Sequence, residues 1–406
     1  MKKHLLICYN FHPSGGSEEA VGYIFSKISA SYRETIVYTQ DSYRSKISIA
    51  ELEAMQPEIE VTFFSPSWLP DSFKKFFPAS VYYQLWHLGL LIHLRGQQDL
   101  RARYSMCQIS TWVAATQPVF SALLPLKTIW GPLGGVAKPP LGFFGEHPFK
   151  SRVYEWIRRQ FIICAELNPV LRKVYQRSDL VLVAAEDAKK WIVGNGFKSE
   201  CEVSVIPAIT FPEQLTVDLS ENFPQKAKQL KVVTAARLLP WKGIDLLLEA
   251  VALSGRRDVE FRIFGGGDDL ERLEGLKGEL GLGDKVAFEG KVTREEFLSQ
   301  LGAADLFLFG SLHDSEGGAC MEASGLGIPC VFLDFGGVRS CLDGCKKVIG
   351  ISAANREEAI VKISQQILEA EIQLNSRESN IPRESLLFFE NKKREMFKLY
   401  DRLNNV

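Results

Sequence analysis

The sequence predicts an α/β protein built from two doubly wound parallel-sheet domains. Three observations carry this. The chain has 406 residues, too many for one ordinary core. It opens on an apolar run, a glycine loop and a helical pattern, which is how a doubly wound unit begins. After a polar stretch marked by Pro212 and Pro224, the same alternation restarts at Lys231. Short apolar runs alternating with helical patterns imply parallel strands joined by right-handed crossovers.

In the first half, His4 to Tyr9 (HLLICY) reads as the opening strand. The loop Asn10 to Ser17 follows, with Gly15 and Gly16 at its end, and a helix starts at Glu18. The glycine pair would let a charged group approach the backbone or would simply make a tight turn, and it matches no phosphate-loop or dinucleotide pattern. Thr35 to Thr39 and Val61 to Phe64 read as the next strands. From Trp68 to Tyr104 the chain mixes Phe73, Phe76, Phe77, Tyr82, Tyr83 and Trp86 with Lys74, Lys75, Arg95, Arg101 and Arg103. That mixture fits an interfacial membrane surface, and equally a pair of amphipathic helices packed on the sheet. Lys127 to Trp130 reads as a strand that ends in the loop Gly131 to Gly135. Arg152 to Tyr175 reads as an amphipathic helix, Leu180 to Ala184 and Val203 to Pro207 as strands, and Phe211 to Lys228 as the linker.

The second half predicts strands at Lys231–Ala235, Phe261–Phe264, Val286–Glu289, Asp305–Phe309 and Cys330–Leu333. Helices fall between them at Gly243–Ser254, Asp268–Leu280, Arg294–Leu301 and Ala319–Ser324. A helix from Arg356 to Leu374 is capped by Asn355, and a last one spans Ser385 to Leu403. The domains expected are therefore 1–212, 213–384 and a closing helix over 385–406.

Composition narrows the function classes. Hydrophobic content of 46% and charged content of 24% belong to a globular protein, and a net charge of -1 gives no reason to expect nucleic acid. The eight cysteines lack Cys-x-x-Cys spacing, and several sit in apolar runs. This points to reduced thiols in a cytoplasmic compartment, with neither a zinc site nor a disulfide framework. The apolar run Leu5 to Cys8 is too short for a signal-peptide core, and no stretch reaches the roughly 18–20 apolar residues of a membrane span.

Candidate chemistry collects at strand ends. The loop Ser311 to Gly318 lies between a buried strand and a short helix, where open α/β folds bind ligands. Asp314 and Glu322 flank its free amides, which suit a phosphate. After the strand Lys231–Ala235 come Arg237 and Lys242, a fork and a point charge able to clamp a diphosphate. Gly265 to Gly267 would let a nucleoside lie on the strand ends, although Leu270 stands where a dinucleotide fingerprint needs glycine. His313 is a polar neighbour of Asp314 with no evident base role.

In these residues the chain resembles the retaining glycosyltransferases of family 4, also called group 1, which have the GT-B architecture of two Rossmann-like domains facing across a cleft. The resemblance rests on the Gly15-Gly16 loop, on Arg237 with Lys242 in an A-R-L-x-x-x-K-G setting, and on Asp314 separated by seven residues from Glu322 in a motif ending at Gly327 and Pro329. It implies transfer of a sugar from a UDP-, GDP- or ADP-linked donor to a glycan or lipid-linked acceptor in bacterial surface polysaccharide synthesis, lipopolysaccharide included. The setting would be cytoplasmic, with peripheral membrane contact. Arg237 and Lys242 would neutralise the diphosphate, so no metal or other cofactor is expected. Glu322 would hold the ribose and Asp314 the sugar. Gly15, Gly16, Gly265, Val292, Glu316, Gly317, Gly318 and Ala319 would complete the donor site. Asp314 replaces the usual Glu and is one methylene shorter. The N-domain histidine of many relatives has no counterpart in Gln108 to Trp112, which leaves His12, Thr111, Trp112 and His147 as candidates for the acceptor side. A nucleotide-sugar epimerase of the same architecture and a non-catalytic nucleotide-sugar binder are the rival readings.

Overall fold

The computed structural model describes residues 2–13, 17–110, 112, 114–208, 229–343, 345, 347–371 and 383–404. Two compact units emerge. One comprises Met1–Val136, Gln160–Thr210 and Glu390–Val406; the other comprises Ala137–Arg159 and Phe211–Phe389.

The first unit holds seven strands: β1 (Lys3–Ile7), β2 (Thr35–Gln40), β3 (Ile59–Phe64), β4 (Tyr104–Ile109), β5 (Thr128–Leu133), β6 (Leu180–Val183) and β7 (Val203–Val205). They lie in the order β3-β2-β1-β4-β5-β6-β7, every pairing parallel. Helices cover both faces, so the central strands are nearly continuous apolar runs; all of Leu180–Val183 is buried. β3 is an edge strand and only half-buried. The strand order reverses between β1 and β4.

The second unit repeats the plan with β8 (Leu230–Ala235), β9 (Val259–Phe264), β10 (Val286–Gly290), β11 (Leu306–Phe309), β12 (Cys330–Leu333) and β13 (Val348–Ile351). The order is β10-β9-β8-β11-β12-β13, all parallel, and reverses between β8 and β11. Leu246 and Leu247 of the helix Ile244–Leu253 and Ile363 and Ile367 of the helix Arg356–Glu369 join Val232, Phe261 and Leu308 in one core. Asn355 caps the latter helix, its Oδ1 accepting from Glu358 N at 2.9 Å.

Several differences from the sequence reading stand out. The helix expected over Arg152–Tyr175 is two, Phe149–Glu166 and Pro169–Arg177. Pro169 has no N–H to continue the first, and Asn168 caps the second by accepting from Val170 N and Leu171 N at 2.9 and 3.1 Å. β5 continues through Gly131 and Pro132 to Leu133 instead of ending at Trp130. Within Trp68–Tyr104, Tyr82, Tyr83, Trp86 and Tyr104 are core, whereas Trp68, Phe73, Phe76 and Phe77 are exposed. Arg101 and Arg103 bond Pro125 O and Gln97 Oε1, both at 2.9 Å.

Another difference concerns the expected first domain, 1–212. Ala137–Arg159 groups with the second unit. Phe143 and Phe144 are buried in that unit's core, and Glu146 Oε2 lies 2.9 Å from Arg356 Nε. The closing helix, Arg383–Asn404, is bound from residue 390 onward to the first unit. There Tyr400 Oη donates to Gln108 Oε1 and Tyr32 Oη donates to Asp401 Oδ1, both at 2.6 Å. The predicted linker, 211–228, lies outside the described residues.

Candidate active site

β8 and β11 are neighbours on either side of the strand-order reversal in the second unit, so the loops at their carboxyl ends border a crevice. The β8 loop carries Arg237 and Lys242; the β11 loop carries His313, Asp314 and the start of the helix Gly318–Gly325. The loops are tied together. Leu312 N donates to Trp241 O at 2.9 Å, and a Cβ on Gly243, at φ 64°, would stand 2.1 Å from Gly310 O. Only glycine permits that approach.

Lys242 Nζ lies 2.5 Å from Asp314 Oδ2. The other carboxylate oxygen, Oδ1, accepts from Gly317 N at 3.2 Å and Glu316 N at 3.4 Å. Burial alone would raise the Asp314 carboxyl, but the Lys242 ammonium and the two amides outweigh it and hold the group below its usual range. Asp314 is thus ionised and cross-links the two loops. Gly317, at φ 65°, caps the helix in the left-handed region. The first amides of that helix, at Gly318 and Ala319, have no partner within it, as at any helix start. Arg237 is exposed and free of ion pairs among the described residues.

Glu322, on the same helix, is paired with a residue the sequence reading did not single out. Arg294 Nη2 lies 2.6 Å from Glu322 Oε1. Burial raises the Glu322 carboxyl above its usual range, and Arg294 offsets this only in part. Arg294 opens the helix after β10, two residues past Val292, so no local spacing relates it to a residue 28 positions on. Gly265, at φ 123°, follows β9, and its N–H donates to Gly290 O at 2.7 Å.

Two expected donor or acceptor residues are placed differently. Glu316 is only 3% exposed, which removes its side chain from a solvent-facing ligand. His147 is buried against Asp245, its Nε2 3.7 Å from Oδ2, and burial lowers its pKa. It belongs to the second unit's interior and not to an acceptor surface. His313 is also enclosed. Its ring stacks on Trp241, which stacks on Tyr154, and its Nε2 lies 3.5 Å from Glu155 Oε2. Burial and then Arg158 push its pKa down to about 4, so His313 is neutral at physiological pH.

In the first unit the reversal lies between β1 and β4. His12 follows β1, its Nε2 3.2 Å from Lys46 O. Trp112 follows β4 at φ 64°, rare for a bulky residue, and stacks on Tyr83 at 4.9 Å. Gly15, Gly16 and Thr111 lie outside the described residues.

Residues 218–383 match the family described as glycosyl transferases group 1. The second unit is a group 1 glycosyltransferase domain. A GDP-mannose-dependent alpha-(1-6)-phosphatidylinositol monomannoside mannosyltransferase of Mycolicibacterium smegmatis is 36% identical over 123 residues, 28% of this chain and 32% of that protein. The Escherichia coli protein WcaL, named for colanic acid biosynthesis, is 28% identical over 191 residues, 44% of this chain and 45% of WcaL. The chain therefore matches less than half the length of either relative. Beyond the group 1 domain, the whole chain has the fold of Anabaena Alr3699/HepE, solved in complex with UDP. The TM-score is 0.63 at 17% identity, covering 99% of this chain and 100% of that one. Two Rossmann-like parallel-sheet units are the GT-B fold class.

Proposed function

We propose that the chain is a retaining glycosyltransferase that moves a sugar from a nucleoside-diphosphate sugar to a glycan or lipid-linked acceptor. The observation that carries this is the convergence of Lys242 and the start of the helix Gly318–Gly325 at the β8/β11 reversal, with Asp314 between them and Arg237 exposed on the same β8 loop. When the bond from the sugar's anomeric carbon to the diphosphate breaks, negative charge grows on the departing oxygen. Fixed cations and amides aimed at that oxygen stabilise it without the help of a metal. A donor diphosphate arriving here competes with Asp314 for Lys242 and meets the unpaired Arg237 directly.

Glu322 supplies the ribose contact in this reading. Arg294 covers one of its oxygens, and the other is free to accept from ribose hydroxyls. The base is uridine, guanosine or adenosine: one relative is GDP-mannose-dependent and one fold neighbour was solved with UDP. The likeness to WcaL supports a place in bacterial surface polysaccharide synthesis, and that route sets the reaction in the cytoplasm. The engagement of both Asp314 oxygens favours one second reading, a nucleotide-sugar binder without turnover.

One assay separates these readings. Purified protein receives UDP- or GDP-sugars with and without lipid-linked acceptor, and both free nucleoside diphosphate and elongated product are measured. Stoichiometric release and elongation are expected. Binding without release would establish the binder and overturn transfer. Isomerised donor without acceptor would make the protein an epimerase.

A further inference from the structure

We propose that Tyr154 and Glu155 are positioning residues for the diphosphate site, acting on Lys242 and Asp314 through Trp241 and His313. The inference rests on the diphosphate reading of Lys242. Three pairs of chain neighbours carry it, each an aromatic ring followed by a charge: Tyr154 and Glu155, Trp241 and Lys242, His313 and Asp314. The rings form one stack. Tyr154 lies 5.1 Å from Trp241 between ring centres, at 15°, and Trp241 lies 5.7 Å from His313, at 20°. Near-parallel rings at such spacings hold one another in place. The stack therefore joins the segment Ala137–Arg159 to the β8 and β11 loops at the residues directly before the two charges.

The segment's end of the stack is anchored. Glu155 is 2% exposed, and it accepts from Arg158 Nε and Nη2, both at 2.8 Å, and from Arg159 Nε at 3.2 Å. Arg158 Nη2 also donates to Ala137 O at 2.6 Å, and Arg159 Nη2 donates to Pro139 O. The segment is thereby closed on itself, which fixes the helical turn that carries Tyr154. Burial alone would raise the Glu155 carboxyl, but the guanidiniums beside it outweigh that and hold the group below its usual range. His313 Nε2 has no hydrogen-bond partner among the described residues and faces this carboxylate at 3.5 Å. An ionised Glu155 favours the imidazole tautomer with its proton on Nε2 and so orients the ring.

Lys242 needs this support. Its stem is flexible, and the bond from Leu312 N to Trp241 O joins only the main chains of the two loops. An arriving diphosphate has to draw Nζ away from Asp314. With Trp241 held in the stack, the stem moves and its backbone does not. A residue that only stabilised the segment would be indifferent to the number of phosphates on a ligand. A residue that positions Lys242 is not, because the second phosphate is the one that reads the ammonium.

The test is calorimetric titration of the full chain with UDP, GDP and ADP and with the matching monophosphates, following the base that the wild type binds most tightly. Lys242→Ala is the control and should weaken the diphosphate while sparing the monophosphate. Tyr154→Ser should weaken the diphosphate by roughly 3- to 10-fold, as loss of one aromatic pair predicts, and leave the monophosphate unchanged. Tyr154→Phe keeps the ring and should restore wild-type affinity. Glu155→Gln should move the ratio of the two affinities in the same direction as Tyr154→Ser. Tyr154 is 50% exposed, so its variants should keep the wild-type unfolding temperature even where Glu155→Gln does not. A ratio moved by Lys242→Ala and not by Tyr154→Ser would overturn the positioning role and leave the diphosphate reading standing. Equal losses of both ligands in Tyr154→Ser would make the stack structural only and overturn it too. An unmoved ratio in Lys242→Ala would overturn the diphosphate reading and this inference with it.

Discussion

Glu322 and Arg294 set a pH dependence that can be worked out in sign. Burial raises the Glu322 carboxyl above its unfolded value, and Arg294 opposes that rise. Ionising Glu322 therefore costs stability as pH climbs from the ordinary carboxylate range to the folded value. A ligand that donates two hydroxyls to the ionised form recovers that loss. Arg294→Ala should raise the Glu322 pKa further, moving the acid limb of nucleotide binding to higher pH. Calorimetric titration with UDP or GDP between about pH 4 and 8 would detect it; an unmoved acid limb means that Glu322 does not hold the ribose. Asp314, Lys242, Glu322 and Arg237 were legible in the sequence because their spacing is local to two loops. Arg294 was not, since a contact across 28 residues leaves no periodic trace.

Ala137–Arg159 is held on the second unit by Phe143 and Phe144 in its core, and an ion cluster adjoins them. Arg356, 4% exposed in its side chain, reaches Glu146 at 2.9 Å, Asp245 at 3.0 Å and Glu249. Removing it leaves Asp245, itself 1% exposed, without its closest cation. Arg356→Ala should cost about 3–5 kcal/mol, read as a lowered midpoint in urea unfolding followed by circular dichroism. A loss under about 1 kcal/mol would mean the cluster is water-filled and loosely paired. Nothing in the sequence placed this segment, because the apolar and ionic contacts that hold it join residues distant in the chain. β4 and β13 were missed for a related reason. Tyr104–Ile109 carries Ser105 and Gln108, and Val348–Ile351 is a short, half-exposed edge strand, so neither stands out as an apolar run. Gln108 is tolerated because Tyr400 of the closing helix donates to it.

At the scale of the molecule, two sheets with the same order around their reversal points place the carboxyl ends of the β1/β4 and β8/β11 pairs where open α/β sheets offer room for ligands. The alternation of apolar runs and helical patterns made this architecture readable, since a βα repeat admits few topologies. The central claim is that Lys242 stabilises the departing diphosphate and that its bond to Asp314 is its resting partner. The most direct measurement is single-turnover sugar transfer by Lys242→Ala beside wild type, with thermal unfolding as the control. The account predicts a rate lower by roughly 100- to 1,000-fold with the fold intact. Transfer at a near wild-type rate by a folded Lys242→Ala protein would contradict it.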